Sequence, residues 1–294
     1  MRRAVLLVVL GACGRLEFSP GADDQDAGIH DTANDAMPCM NYGAWGAVQR
    51  IAELATTAED YGSEISSDGL SLYWGSNNGG PDHLYTATRA SRSSTWGSTR
   101  QLTEISGGVG DPSVTGDELE IYYTHAGGTK DCIYRASRTA KTNDFTDGVA
   151  VPALCDGASH HACPHLSPDG LTMVYVSAGI ILLATRPDRN ADFPEGTTFP
   201  GLFTGLSCPY LSDDLLTLYY EEGSPSVIEY AKRSIPSGAF DIQKQPVTET
   251  DFSGNDNEDV SLTSDALEMH FDSSRPGGAG GHDMYFLQRE CLSN

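Results

Sequence analysis

Basic side chains are what this chain has least of. Across 294 residues, 18 lysines and arginines face 41 aspartates and glutamates, a formal net charge of −23 at pH 7. Neutralising phosphates requires a basic face, so nucleic acid is excluded as a partner. The N-terminal apolar run Ala4–Leu10 is too short to cross a bilayer as a helix. No extended helical periodicity is present. No Gly-x-Ser-x-Gly elbow, phosphate-cradling glycine loop or EF-hand spacing occurs, which removes the sequence signatures of the serine hydrolases, P-loop enzymes and EF-hand proteins. What the chain does have is 32 glycines, 15 prolines and 13 tyrosines, with hydrophobic residues at 39 % and aromatics at 9 %. That is enough for a packed core, and it points to an all-β protein.

Met1-Arg2-Arg3 is basic, Ala4–Leu10 is apolar, and small residues follow in Leu10-Gly11-Ala12-Cys13. This is the order of a secretion signal. Leu10–Cys13 resembles a bacterial lipobox, which implies that Cys13 is lipidated and becomes the mature N-terminus. An ordinary signal peptide with an incidental Cys13 is the alternative. On the lipobox reading, residues 1–12 are a signal peptide. Residues 13–38, small and polar with Asp23, Asp24, Asp26, Asp31 and Asp35, are a solvated tether. The implied address is the bacterial cell envelope, anchored at the outer membrane, with lipid as the only membrane contact.

Residues 39–294 repeat themselves. A polar turn containing Asp68, Asp117, Asp169, Asp214 or Asp265 precedes an alternating apolar and aromatic strand, at intervals of about 50 residues. The strands carry Tyr73, Tyr123, Tyr175, Tyr220 and Phe271, expected to pack between repeats. A second strand then ends in Arg89, Arg138, Arg186, Arg233 or Arg289. In the first four copies Trp96, Phe145, Phe193 or Phe240 follows seven residues later. With a short strand before each turn, every copy has four strands, the content of a β-propeller blade. The fifth copy lacks its last strand, and Trp45–Ile51 resembles Trp96–Leu102. The N-terminal strand is therefore expected to complete the last of five blades and close the ring, which hides the sheet edges. Six blades, one degenerate, is the alternative count. Because a residue used once per blade serves the blade, the five turn aspartates are expected to be structural.

Ser167-Pro168-Asp169-Gly170, followed by an apolar strand, resembles the WD-like repeat of TolB-type propellers. Phe271–Gly278 with Asp283-Met284-Tyr285 is similar to that family's second half-repeat. The resemblance spans residues 42 to 290 and implies the propeller fold, while leaving function open.

Seven cysteines, one used at the lipobox, leave six for three disulfides among fifteen pairings. The repeat phase favours Cys39–Cys291 across the ring closure. It also pairs Cys132, which opens a strand, with Cys155, which ends the antiparallel neighbour. The remaining pair is Cys163–Cys208, at one repeat position in consecutive blades.

His160-His161-Ala162-Cys163-Pro164-His165 has donors that suit Zn²⁺, and Asp251, Asn255, Asp256, Asn257, Glu258 and Asp259 offer oxygens of the kind Ca²⁺ takes. Both are expected to be ordinary polar loops, with no metal and no cofactor. The expected function is a non-catalytic binding module, taking a protein, peptide or glycan on a propeller face. The alternative is a propeller glycosidase, for which Glu64, Asp111 and Asp259 are the carboxylates expected at the channel mouth.

Overall fold

In the computed structural model, residues 39, 41–78, 80–126, 128–199, 204–241 and 243–292 are described. The expected lipidation site Cys13, the signal peptide and the tether lie outside them. Five four-stranded antiparallel sheets make a five-bladed β-propeller. No helix among the described residues is long and apolar enough to cross a membrane.

Blade one is β2 (Asp60–Ile65), β3 (Ser71–Ser76), β4 (His83–Thr88) and β5 (Arg100–Gln101). Blade two is β6 (Val109–Val114), β7 (Glu120–His125), β8 (Cys132–Ser137) and β9 (Val149–Ala150). Blade three is β10 (His161–Leu166), β11 (Thr172–Ser177), β12 (Ile180–Thr185) and β13 (Thr197–Thr198). Blade four is β14 (Leu206–Leu211), β15 (Thr217–Gly223), β16 (Ser226–Lys232) and β17 (Gln245–Pro246). Blade five takes β18 (Asn257–Leu262), β19 (Glu268–Ser273) and β20 (Asp283–Gln288) from the C-terminal end. Its outer strand, β1 (Gln49–Arg50), comes from the N-terminal end.

Closure extends well beyond that two-residue strand. Gln49 pairs with Phe286 and Arg50 with Tyr285. Backbone amides of Gly43, Gly46 and Ile51 donate to the carbonyls of Glu290, Gln288 and Met284, and Leu292 N donates to Asn41 O. A Cys39–Cys291 disulfide, Cα atoms 5.6 Å apart, lies just beyond.

The core is five apolar layers, each wedged between two neighbouring blades. Tyr73 and Leu84 meet Val109, Ile121 and Tyr123 between blades one and two. Tyr122 and Ile133 meet Met173 and Tyr175 between two and three. Corresponding sets fill the other three gaps. Fully burying one such side chain contributes roughly 1.5–3 kcal/mol, so the blades cohere through these layers.

One motif builds each blade's turn. Asp68, Asp117, Asp169, Asp214 and Asp265 accept a hydrogen bond from the amide two residues on, at 2.9–3.1 Å, and another from a Ser or Thr hydroxyl two residues back. The next residue has positive φ, and its carbonyl accepts from the Nε of the blade's arginine, buried in the first four blades and half-buried in the fifth: Arg89 to Gly69, Arg138 to Glu118, Arg186 to Gly170, Arg233 to Leu215, Arg289 to Ala266. Each guanidinium then lies on an aromatic ring, at 4.5 Å on Trp96, 4.3 Å on Phe145, 4.6 Å on Phe193 and 4.5 Å on Phe240. The seven-residue interval in the sequence is this contact.

Cys132 and Cys155 are bonded, but Cys155 does not end a strand. β9 stops at Ala150, and a 3-10 turn, Pro152–Leu154, carries the chain back to Cys132. Like the outer strands of the other blades, β9 is only two residues long, so the bond is made from the turn that follows it.

Candidate functional site

The inner strands all begin at one rim and end at the Asp-turn rim. At the same point in each, the register with the second strand slips. The slipped residues are Gly62, Asp111, Cys163, Cys208 and Asp259, all with positive φ between 34° and 64°. A left-handed residue costs an L side chain about 1–2 kcal/mol, and here it turns the side chain out of the ladder towards the channel. At Gly62 a Cβ would stand 3.0 Å from the backbone of Asp111, so any larger residue would have to push the neighbouring inner strand aside. Cys163 and Cys208 are disulfide-bonded, joining the inner strands of blades three and four.

Glu64, Asp111 and Asp259, the three carboxylates nominated by the sequence, line one cavity on the channel. They are not equivalent. Glu64 lies deeper, in a second belt with Ser113, His165, Tyr210 and Ser261 that stitches blades together. Ser113 Oγ donates to Glu64 Oε1 at 3.1 Å and accepts from Leu166 N at 3.0 Å. Tyr210 OH donates to Leu262 O, Ile65 N donates to Ser261 Oγ, and His165 Nε2 lies 3.2 Å from Leu211 O. Glu64 is thus occupied in the wall, whereas Asp111 and Asp259 face the mouth. The cavity between them is about 30 Å³. That is room for only a few waters, far below the 300–1,000 Å³ of ordinary ligand pockets.

Three further carboxylates join the mouth: Glu221 and Asp272, which the sequence reading missed, and Glu258, which it placed only among the oxygen donors of the 251–259 stretch. Glu221 and Asp272 project from the second strands of blades four and five, and Glu258 precedes Asp259 on β18. Asp259 N donates to Glu221 Oε1 at 2.7 Å, and Gly62 N donates to both Asp259 Oδ2 and Asp272 Oδ1 at 3.1 Å. Cys163 N donates likewise to Thr124 Oγ1 at 2.9 Å. The second-strand side chain thus receives the amide of the next blade's slipped residue. A carboxylate mid-strand beside aromatic residues, as in Tyr219-Tyr220-Glu221 and His270-Phe271-Asp272, was the available signal.

Burial and mutual repulsion set the protonation of this mouth. Burial pushes Asp111 up to about 6, aided by the Asp272 charge and opposed by a Thr124 hydrogen bond. Burial, then Asp272 and Glu221, raise Asp259 well above the carboxylate range. Burial and Glu258 do the same to Glu221. His282 is the counter-charge: its hydrogen bond to Asp272, Nδ1 to Oδ2 at 2.7 Å, outweighs burial and lifts it to about 9. The site can therefore hold cationic groups at its lip and protons among its carboxylates.

The His160–His165 segment is not gathered on one point. His160 pairs with Asp131 at 2.9 Å, His161 is buried against Tyr175, and His165 belongs to the deeper belt. Of the 251–259 stretch, Asn257 is buried holding Ser273 and Arg275, while Glu258 and Asp259 reach the mouth.

No family model matches the chain, and no curated protein matches it. Solved structures similar to it include propellers of two kinds. The catalytic domain of the Coprinopsis cinerea GH62 α-L-arabinofuranosidase is 11 % identical with a TM-score of 0.54, over 84 % of this chain and 97 % of that one. The Xanthomonas citri GH43_1 enzyme is 12 % identical with a TM-score of 0.52, over 81 % and 90 %. TolB from Acinetobacter baumannii is 15 % identical with a TM-score of 0.48; 78 % of this chain is covered, spanning 53 % of TolB's length. The likenesses to the two enzymes show the fold alone.

Proposed function

We propose that the protein is a non-catalytic, TolB-like propeller lipoprotein of the cell envelope, tethered through Cys13. Its acidic channel mouth would bind a protein or peptide segment bearing cationic side chains. The observation that carries this reading is the convergence of Asp111 and Asp259, which line the cavity, with Glu221, Glu258 and Asp272, which adjoin them, on a mouth with space behind it for only a few waters. A sugar ring does not fit that space, whereas a lysine or arginine tip approaching the lip meets complementary charge. A net charge of −23 steers such a partner inward.

The test is a peptide array probed with the purified chain at low and at physiological salt. Retained peptides should be rich in Lys and Arg, and retention should fall with salt and with Asp111→Asn. Retention of neutral glycans instead, indifferent to Asp111→Asn, overturns the reading. Anchoring is tested separately: Cys13→Ala should abolish palmitate labelling and release the protein from membranes.

One observation favours a second reading. Asp111 is raised to about 6, near where a general acid works, and Asp259 shares its cavity. On that reading the chain is a glycosidase that takes only a chain-end residue at the lip. Hydrolysis of aryl glycosides, α-L-arabinofuranosides among them, lost in both Asp111→Asn and Asp259→Asn, would establish it.

A further inference from the structure

Three side chains at the mouth turn one ligand atom each towards a common point. His282 Nδ1, Asp272 Oδ2 and Glu258 Oε2 all lie within 4.8 Å of one another. His282 Nδ1 is 2.7 Å from Asp272 Oδ2 and 3.7 Å from Glu258 Oε2. They come from adjacent strands: Glu258 and Asp272 are register partners on β18 and β19, and His282 immediately precedes β20.

What separates this triad from an incidental ion pair is the way each member is held from behind. Asp272 gives its other oxygen, Oδ1, to Gly62 N at 3.1 Å, across the blade-five to blade-one boundary. Glu258 gives Oε1 to Ser226 Oγ at 2.7 Å, on blade four. His282 is clamped through its backbone: its amide donates to Glu59 Oε2 at 2.8 Å, and its carbonyl accepts from Asp60 N at 3.1 Å. The loop before it is tied down too, with Asp283 Oδ2 accepting from Ala279 N and Gly280 N. Blades one and four thus supply donors outside the triad, to Asp272 and Glu258, that leave Oδ2 and Oε2 facing His282 Nδ1. This is the outer-shell support by which metal sites orient their ligands. Asp272 is buried, while Glu258 and His282 are 30 % and 18 % exposed, so one side stays open to incoming ions and to water ligands.

We propose that Glu258, Asp272 and His282 form a divalent-cation site. An imidazole with two carboxylates suits Zn²⁺ or Mn²⁺. Ca²⁺ and Mg²⁺ favour all-oxygen shells. The ion would occupy the position that the His282 proton now fills between the carboxylates, and would reduce the repulsion among the mouth carboxylates. The proposal is independent of what the mouth binds, since cation binding is measured with no peptide or glycan present.

The experiment is titration calorimetry of the full chain, disulfides intact and freed of metal by chelator, with Zn²⁺, Mn²⁺, Ca²⁺ and Mg²⁺ in turn. The expected result is one equivalent of Zn²⁺ or Mn²⁺ bound at least 100-fold more tightly than Ca²⁺ or Mg²⁺. His282→Gln and Glu258→Gln should each weaken it by at least 100-fold. Glu258 is partly exposed, so Glu258→Gln keeps its fold, checked by an unchanged melting temperature without metal. Absence of saturable Zn²⁺ and Mn²⁺ binding up to millimolar concentration overturns the proposal, and so does parental binding in Glu258→Gln. Peptide-array retention in chelator reports on the proposed function separately.

Discussion

The guanidinium of Arg289 lies 4.1 Å from the ring centroid of Trp45, so the two ends of the propeller meet through a cation–π contact. Arg289 is also 3.9 Å from the ring of Tyr42, and its Nε donates to Ala266 O, the turn carbonyl of its own blade. The last blade is thereby built on the same plan as the other four, with its aromatic borrowed from the N-terminal side. Neither end of the ring can leave without breaking a blade.

Closure is therefore expected to dominate stability. Replacing Cys39 and Cys291 together by Ser removes a bond between residues 252 apart. In the chain-entropy model that costs about 5 kcal/mol. Trp45→Ala, at a partly buried position, should cost less than the ~3–5 kcal/mol of a fully buried aromatic. Urea unfolding checks both. A double serine variant with the parental midpoint would show that the strand pairing of residues 41–51 suffices alone.

The buried arginines should not tolerate lysine. Arg186 donates to Gly170 O, Tyr122 OH and Glu120 Oε2 at 2.7–2.9 Å, and its side chain is fully buried. A lysine cannot make that fork or lie flat on Phe193, so the Glu120 carboxylate loses a matched partner in a buried setting. Arg186→Lys should cost about 3 kcal/mol, in line with breaking other buried pairs. Arg100→Lys is the control: its pair with Asp144 is about half exposed, and the change should stay within about 0.5 kcal/mol. Equal losses in the two variants would refute the argument.

The blades were legible because each repeat leaves three marks at fixed spacing: the turn Asp, the strand aromatic and the arginine–aromatic interval. Trp45, out of place at the N-terminal side, disclosed the closure. The mouth was only half legible. Asp111 and Asp259 sit on inner strands, where repeat phase alone locates them. Glu221 and Asp272 reach the mouth from second strands, and Glu258 and His282 come into register with them only once the blades are curled around the axis. Glu64 was grouped with the mouth because one strand looks uniform in sequence. The register slip at Asp111 and its equivalents, which divides mouth from belt, depends on backbone φ and leaves no composition signal.

Stability should fall as pH rises through the mildly acidic range. Asp111 is raised to about 6 in the folded chain, against an ordinary aspartate value near 3.9, and Glu221 is raised as well. Between those values the folded state binds more protons than the unfolded one, so unfolding free energy declines with increasing pH. The loss from Asp111 begins near pH 4 and is complete above about 6. Opposing groups act lower. Burial alone would raise Glu268, but its hydrogen bond from His270 and the nearby Arg89 charge overcome this and leave it at about 2. Asp117, held by Arg189 and Thr115 against the pull of burial, is likewise at about 2. Their stabilisation is present above about pH 4 and lost as pH falls towards 2. The two trends together place the maximum melting temperature near pH 4–5, with a decline towards pH 7. Asp111→Asn removes one titrating group from the mouth and should flatten the decline between pH 4 and 6 while leaving the acid limb in place. Melting curves from pH 3 to 8, recorded in chelator, decide it: a parental slope in Asp111→Asn would show that this carboxyl does not carry the proton.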